Sequence, residues 1–321
     1  MKYEALLNRS EDWLKYAVRV NLLHEPKESL NVLRRSVLRD ERIKSYLKDV
    51  ADFHDMTVSG HKNPDLPLQK LLFLLDLGLD TDIPEIATAV QAILEHRDAN
   101  GVFQSVMNIP QHFGGTGEDT FAWCLCDAPN LLLILIKSGV DHNQIEPGVE
   151  YLTSLYRNNG FPCSVSPEMG SFRGPGKKGD CCPYATLIMA NLLAEIPAYH
   201  SSDVALGAVN ALLDLWENSM TQHPYLFYMG TDFRKLKAPS CWYDIVSVAD
   251  AISKYPSARS DKRFLEMVGL IQSKRSEDGF FTPESIYLKT KAWEFGQKKT
   301  PSAYLTYLCE KIFGRIGIIS E

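Results

Sequence analysis

FRGPGKKGDCCPYATLIMANLL, residues 172–193, passes from a loop rich in glycine, proline and lysine into an apolar run, with the break at Asp180-Cys181-Cys182-Pro183. Proline suits the first turn of a helix, where its missing N–H would have no partner anyway. Asp180 or Cys181 then stands at the cap, beside unbonded backbone N–H groups and the positive end of the helix dipole. A carboxylate or thiolate is held ionised in such a place. The stretch reads as loop, cap and buried helix, and Asp180 is the first residue to suspect of chemistry.

Working outward, similar starts recur at Pro64, Asp119, Ser240 and Thr300, at a period of about 60 residues from Asp119 onward. A second series begins near Thr81, Asp141, Ser201 and Arg259. The first series is apolar around its circumference, as in FAWCLCDAPNLLLILI and YATLIMANLLA; the second is amphipathic, as in IPEIATAVQAILEHR and DKRFLEMVGLIQSKR. That contrast predicts inner and outer helices. Inner-to-outer connections are short, whereas the return loops run to about 20 residues, which is where function usually resides. Three of these loops open alike, with DANGVF at 98–103, NNGF at 158–161 and EDGF at 277–280, a C-cap turn followed by an aromatic anchor. Residues 1–54 read as two further helices, for about eleven in all.

The 321 residues, 45% hydrophobic and 23% charged, are enough for a large core. A net charge of -6 argues against general nucleic-acid binding. No run approaches the roughly 18 apolar residues of a membrane span, and MKYEALLNRSEDW lacks a leader's apolar region, so the cytoplasm is the expected compartment. Seven cysteines suit free thiols or metal ligands better than a disulfide framework. Phosphate-loop, dinucleotide, serine-elbow and H-E-x-x-H templates are all missing.

Across residues 60–315, the repeats resemble those of squalene and oxidosqualene cyclases and of protein prenyltransferase β subunits. The resemblance implies an all-α, single-domain α/α toroid, with residues 1–58 closing the ring and 60–315 forming the hairpins. It also implies that inner-helix starts converge on one mouth of a central cavity, gathering His61, Glu118, Asp119, Cys124, Asp127, Asp180, Cys181, Cys182, Tyr184, Cys241 and Asp244. Prenyltransferase β subunits bind zinc through an Asp, a Cys two positions on and a later His. Asp180 and Cys182 match the first two; no His follows at the family's distance, and Cys241 is the nearest soft ligand. Asp180-Cys181 resembles the acid of oxidosqualene cyclases, and Glu118-Asp119-Thr120 the end of the squalene-hopene cyclase acid motif, with Thr116 replacing its first Asp. Trp123, Trp242, Tyr243 and Trp293, with Tyr184, would offer π faces to a cation. Buried cysteines and aromatics are also ordinary core, and Asp119, Asp180, Ser240 and Thr300 are ordinary caps.

Arg173, Lys177 and Lys178, then Arg234, Lys235 and Lys237, then Lys298 and Lys299 end three successive return loops. Around one mouth they would bind an anion such as diphosphate. The expectation is a cyclase- or transferase-like enzyme acting on an isoprenoid or other apolar molecule with an anionic head, by acid or zinc-assisted chemistry. The alternatives are a non-catalytic toroid binding a lipid, glycan or peptide, and a glycan-cleaving enzyme pairing Glu118, Asp119, Asp180 and Asp244.

Overall fold

Proline sets four of the helix starts. The computed structural model describes residues 3–318 apart from 59, 171, 173 and 175, with Leu226 described by its backbone alone. Pro67, Pro84, Pro129 and Pro183 all stand in a first helical turn, where they cost no hydrogen bond. The described residues contain thirteen α-helices: α1 (Glu4–Arg9), α2 (Asp12–Asn21), α3 (Asn31–Val37), α4 (Glu41–Ala51), α5 (Pro67–Asp76), α6 (Pro84–Leu94), α7 (Ala128–Lys137), α8 (His142–Ser154), α9 (Pro183–Ala194), α10 (Asp203–Glu217), α11 (Ile245–Ser253), α12 (Lys262–Gln272) and α13 (Ala303–Arg315).

The two expected series correspond to α5, α7, α9, α11 and α13, and to α6, α8, α10 and α12. Every residue of α9 except Asn191 is buried. By contrast, α12 buries only Phe264, Met267, Val268 and Ile271, one stripe at helical spacing. The count exceeds eleven because the N-terminal segment forms four helices rather than two. Asp40 starts α4 afresh, its carboxylate accepting the Arg42 N–H at 2.9 Å. Asp119 does not start a helix. The chain there is extended, and α7 begins at Ala128, with Pro129 in its first turn.

That extended stretch corrects the all-α expectation. A small sheet has the order β1 (Thr57–Val58), β2 (Ser105–Met107), β3 (Thr120–Ala122), with β1 parallel and β3 antiparallel to β2. Val106 pairs with both Thr57 and Phe121. The sheet thus draws the chain after residue 58 towards the chain after residue 122.

The return-loop turns follow expectation: Gly101, Gly160 and Gly279 have positive φ. Two of the loops are locked identically. Phe161 N–H donates to Thr186 Oγ1 and Phe281 N–H to Thr306 Oγ1, while the Cys182 and Ser302 N–H groups donate back to the carbonyls of Phe161 and Phe281. Gly160 is required at its position, since a Cβ there would lie 2.8 Å from Thr186 Oγ1.

Along the first series, α5 packs on α7, α7 on α9, α9 on α11 and α11 on α13. α13 comes back beside the beginning of the series: Tyr304 meets Phe73 of α5 edge-on at 5.4 Å, and Asn21 of α2 donates to both Tyr307 Oη and the Asp76 carbonyl at 2.9 Å. Trp13, Phe73, Trp293, Phe295 and Tyr304 form an aromatic cluster at this junction. No helix among the described residues is long and apolar enough to cross a membrane.

Candidate metal centre and adjoining cavity

The small sheet positions the most reactive cluster. His61 follows β1, while Cys124, Cys126 and Asp127 follow β3 and lead into α7. The segment around Cys124 is held in turn by pairing with residues 164–166, through Leu125 N–H to the Ser164 carbonyl (2.9 Å) and Ser166 N–H to the Trp123 carbonyl (2.8 Å). One ligand atom each from His61, Cys124 and Cys126 lies within 4.8 Å of the other two. His61 Nε2 is 3.9 Å from Cys124 Sγ, and its Nδ1 is 2.8 Å from Asp127 Oδ2, off the line of a good hydrogen bond. Cys124 donates to the same carboxylate oxygen at 2.9 Å. Cys182, at the cap of α9, lies close enough to Cys126 for each thiol to shift the other's pKa.

The electrostatics follow from burial. Desolvation works against a charged His61, but the Asp127 carboxylate with the nearby Cys182 and Cys163 thiols outweighs it and raises the imidazole pKa. Burial pushes the Cys124 thiol up to about 12. Cys126 is raised well above the thiol range first by its bond to Cys124, and Cys182 first by its bond to Cys126. Asp127 is 1% exposed, and its Oδ1 has no hydrogen-bond partner.

The donor set fits a soft divalent ion. Sulfur and imidazole ligands suit zinc, whose tetrahedral bonds of about 2.3 Å to sulfur imply a sulfur spacing of roughly 3.7 Å, against ligand atoms here within 4.8 Å of one another. A carboxylate behind the far nitrogen of a ligating histidine is the usual orienting partner. A cation would also reverse the thiol pKa shifts, because a coordinating thiol is deprotonated.

Beside the cluster, Tyr184 and Asn130 line a cavity of about 520 Å³ to which α5, α7, α9, α11 and α13 all contribute. The Tyr184 hydroxyl pKa is raised well above 10, by burial first and then by Asp127, Cys241 and Cys126. The far end of the cavity is charged. Lys137 pairs with Asp76 at 3.0 Å, Lys254 with Glu195 at 2.9 Å and Arg315 with Asp250 at 2.7 Å. Burial works against all three carboxylates, yet the surrounding cations hold Asp76, Glu195 and Asp250 below the usual range.

The candidates read from sequence are scattered by comparison. Asp180 is not part of the His/Cys/Cys group. Its carboxylate accepts the Lys177 N–H at 3.0 Å, and with Cys181 it lines a separate hollow near His223. Cys182 rather than Asp180 occupies the cap position of α9. Burial raises the Cys181 thiol to about 11. Cys241 is not part of the His/Cys/Cys group: it lines the cavity, and its thiol is raised to about 12, chiefly by burial. Glu118 and Asp119 are exposed, Asp119 accepting from the Asn108 amide at 2.8 Å. Asp244 caps α11, its Oδ1 accepting the Ser247 N–H at 2.9 Å.

The loop cations have varied surroundings. Arg173 lies outside the described residues; Lys177, Lys178, Lys298 and Lys299 are exposed. Arg234 covers the Trp216 ring, Lys235 pairs with Asp232, and buried Lys237 lies 4.4 Å over the Tyr287 ring. Among the aromatics, Tyr184 and Trp242 line the cavity, with ring centroids 4.2 Å apart. Trp123 donates to Asp98 at 2.8 Å, Tyr243 packs against Phe227 and Phe233, and Trp293 belongs to the aromatic junction. The charges had a visible signal in sequence: α5, α7 and α9 end in charged residues after an apolar run, in LLFLLD, LLILIK and NLLAE.

Fold and site together define a helical protein with a His/Cys/Cys group able to hold a metal ion. No protein-family model matches the chain, and no curated protein matches it.

Proposed function

We propose that the chain is a metal-dependent transferase-like enzyme built as an α/α toroid, with its metal at one end of the cavity that holds the substrate. The order of helix contacts, with α13 packed back against α2 and α5, supports a closed inner ring. The observation carrying the functional reading is the approach of His61, Cys124 and Cys126 ligand atoms to within 4.8 Å, with Asp127 2.8 Å behind the imidazole.

A bound zinc ion would supply Lewis-acid activation of a thiol or a water. His61, Cys124 and Cys126 would hold it, leaving one position for a substrate or for Cys182. Asp127, 2.8 Å from Nδ1, would orient the His61 ring once the imidazole turned to donate to it, and the surrounding core limits water at the thiols. Tyr184 and Asn130, which line the cavity, stand between it and the cluster, so a ligand lying there would reach the metal through them.

The test is metal content of purified, untagged protein together with cobalt substitution. One ion per chain, with a thiolate-to-cobalt charge-transfer band that weakens in Cys126→Ser and in Cys124→Ser, is the expected result. Protein that binds neither zinc nor cobalt after expression in zinc-supplemented medium would overturn the reading.

A further inference from the structure

The expected isoprenoid is a poor match for the cavity walls. Six charged side chains in three ion pairs line the end remote from the thiols. An apolar tail packed there would dehydrate those charges without replacing their water. The cavity therefore selects a ligand that is polar at this end.

Three groups remain with capacity for such a ligand. Lys311 lines the cavity and makes no ion pair among the described residues; it adds to the field that keeps Asp76 and Asp250 ionised, and it makes this end four cations to three carboxylates. Asn191, the one residue of α9 that is not buried, lines the cavity, and its Oδ1 is a buried acceptor with no hydrogen-bond partner. Ser247, 5% exposed, also lines it, and its Oγ is unpartnered. One spare cation, one spare acceptor and one hydroxyl call for an anion and N–H donors on one molecule. From Asp127 to Lys137 along α7 is about 15 Å at 1.5 Å per residue, so an extended tripeptide, about 10 Å long, spans most of the way from the charges to the thiols.

We propose that the cavity binds a zwitterionic amino-acid derivative or short peptide, its carboxylate on Lys311 and its N–H groups on Asn191 and Ser247. The proposal deepens the metalloenzyme reading by naming its substrate class, and it rests on that reading only for the end that faces the thiols.

The experiment is calorimetric titration of glutathione and S-methylglutathione into zinc-loaded and metal-free protein. Both peptides are expected to bind both forms. Lys311→Met weakens binding roughly 10- to 100-fold, as loss of a charge-assisted hydrogen bond implies, and Lys311→Arg restores most of it. Asn191→Leu weakens it about 5-fold. Circular dichroism melts confirm that the variants fold. Glutathione that fails to bind at millimolar concentration, affinity indifferent to Lys311→Met, or farnesyl diphosphate binding more tightly than glutathione would each overturn the proposal. Binding that needs Lys311 yet is unchanged by zinc and by S-methylation supports the proposal while removing the metal from it.

Discussion

The two ends of the inner helices use opposite chemistry. At the N-terminal end lie thiols, an imidazole and the buried carboxyls of Asp127 and Asp244, held by caps and a small sheet. At the C-terminal end lie hard charges fixed in ion pairs. Helix dipoles account for part of the contrast. Lys137, Lys254 and Arg315 sit where a cation is favoured, whereas Asp76, Glu195 and Asp250 oppose the dipole and stay ionised because of those cations. The soft end is suited to bonding a metal and the hard end to recognising a charged molecule, and each is tested by disturbing one without the other.

The largest expected effect is at the soft end. Cys126→Ser should lower zinc affinity at least 100-fold in competition with a chelating dye, and Asp127→Asn by about 10- to 100-fold, while peptide binding at Lys311 is retained. Equal loss of both functions would mean that the ends are not separable. Next comes the hard end: Asp250→Asn leaves Arg315 without its carboxylate. Breaking such a pair costs 3–5 kcal/mol when fully buried; since both side chains are about a quarter exposed, the expected loss is about 2 kcal/mol by urea unfolding, with zinc affinity unchanged.

A subtler difference follows pH. Burial raises the Asp244 carboxyl from 3.8 to about 6, so the folded chain keeps this proton to higher pH than the unfolded one. The group's cost to stability is absent below about pH 4, grows as pH rises through 4 to 6, and is constant above. Asp244→Asn, which can still cap α11, should match the parent at pH 4 and exceed it by about 1–3 kcal/mol at pH 7.5 in denaturant titrations. The smallest effect tests the loop cations. Replacing Lys177, Lys178, Lys298 and Lys299 by Gln should change stability by less than about 0.5 kcal/mol and leave peptide affinity within twofold; a large loss of affinity would return the anion site to the mouth.

The helical repeat was legible because burial leaves a compositional trace. Inner helices are apolar on every side and outer ones on a single stripe, so nine helices could be placed from residues such as those of α9 and α12. The metal cluster was legible only in its parts. His61, Cys124 and Asp127 stood out near helix starts, but strands of two or three residues carry no periodic signal, and nothing local announces that Val106 pairs with both Thr57 and Phe121. The extended stretch at 120–122 also displaced Asp119 from its expected helix. Asp180 looked stronger than Cys126 because it adjoins a proline start, whereas the ligand set depends on two distant chain segments meeting.

The sheet that brings His61 to Cys124 joins positions 63 residues apart in the chain. An ion held between them would act as a removable cross-link, restricting the unfolded chain as a covalent bridge over a loop of that size does. Thermal stability would then depend on free metal concentration, and the chain would be most vulnerable to proteases when metal is scarce.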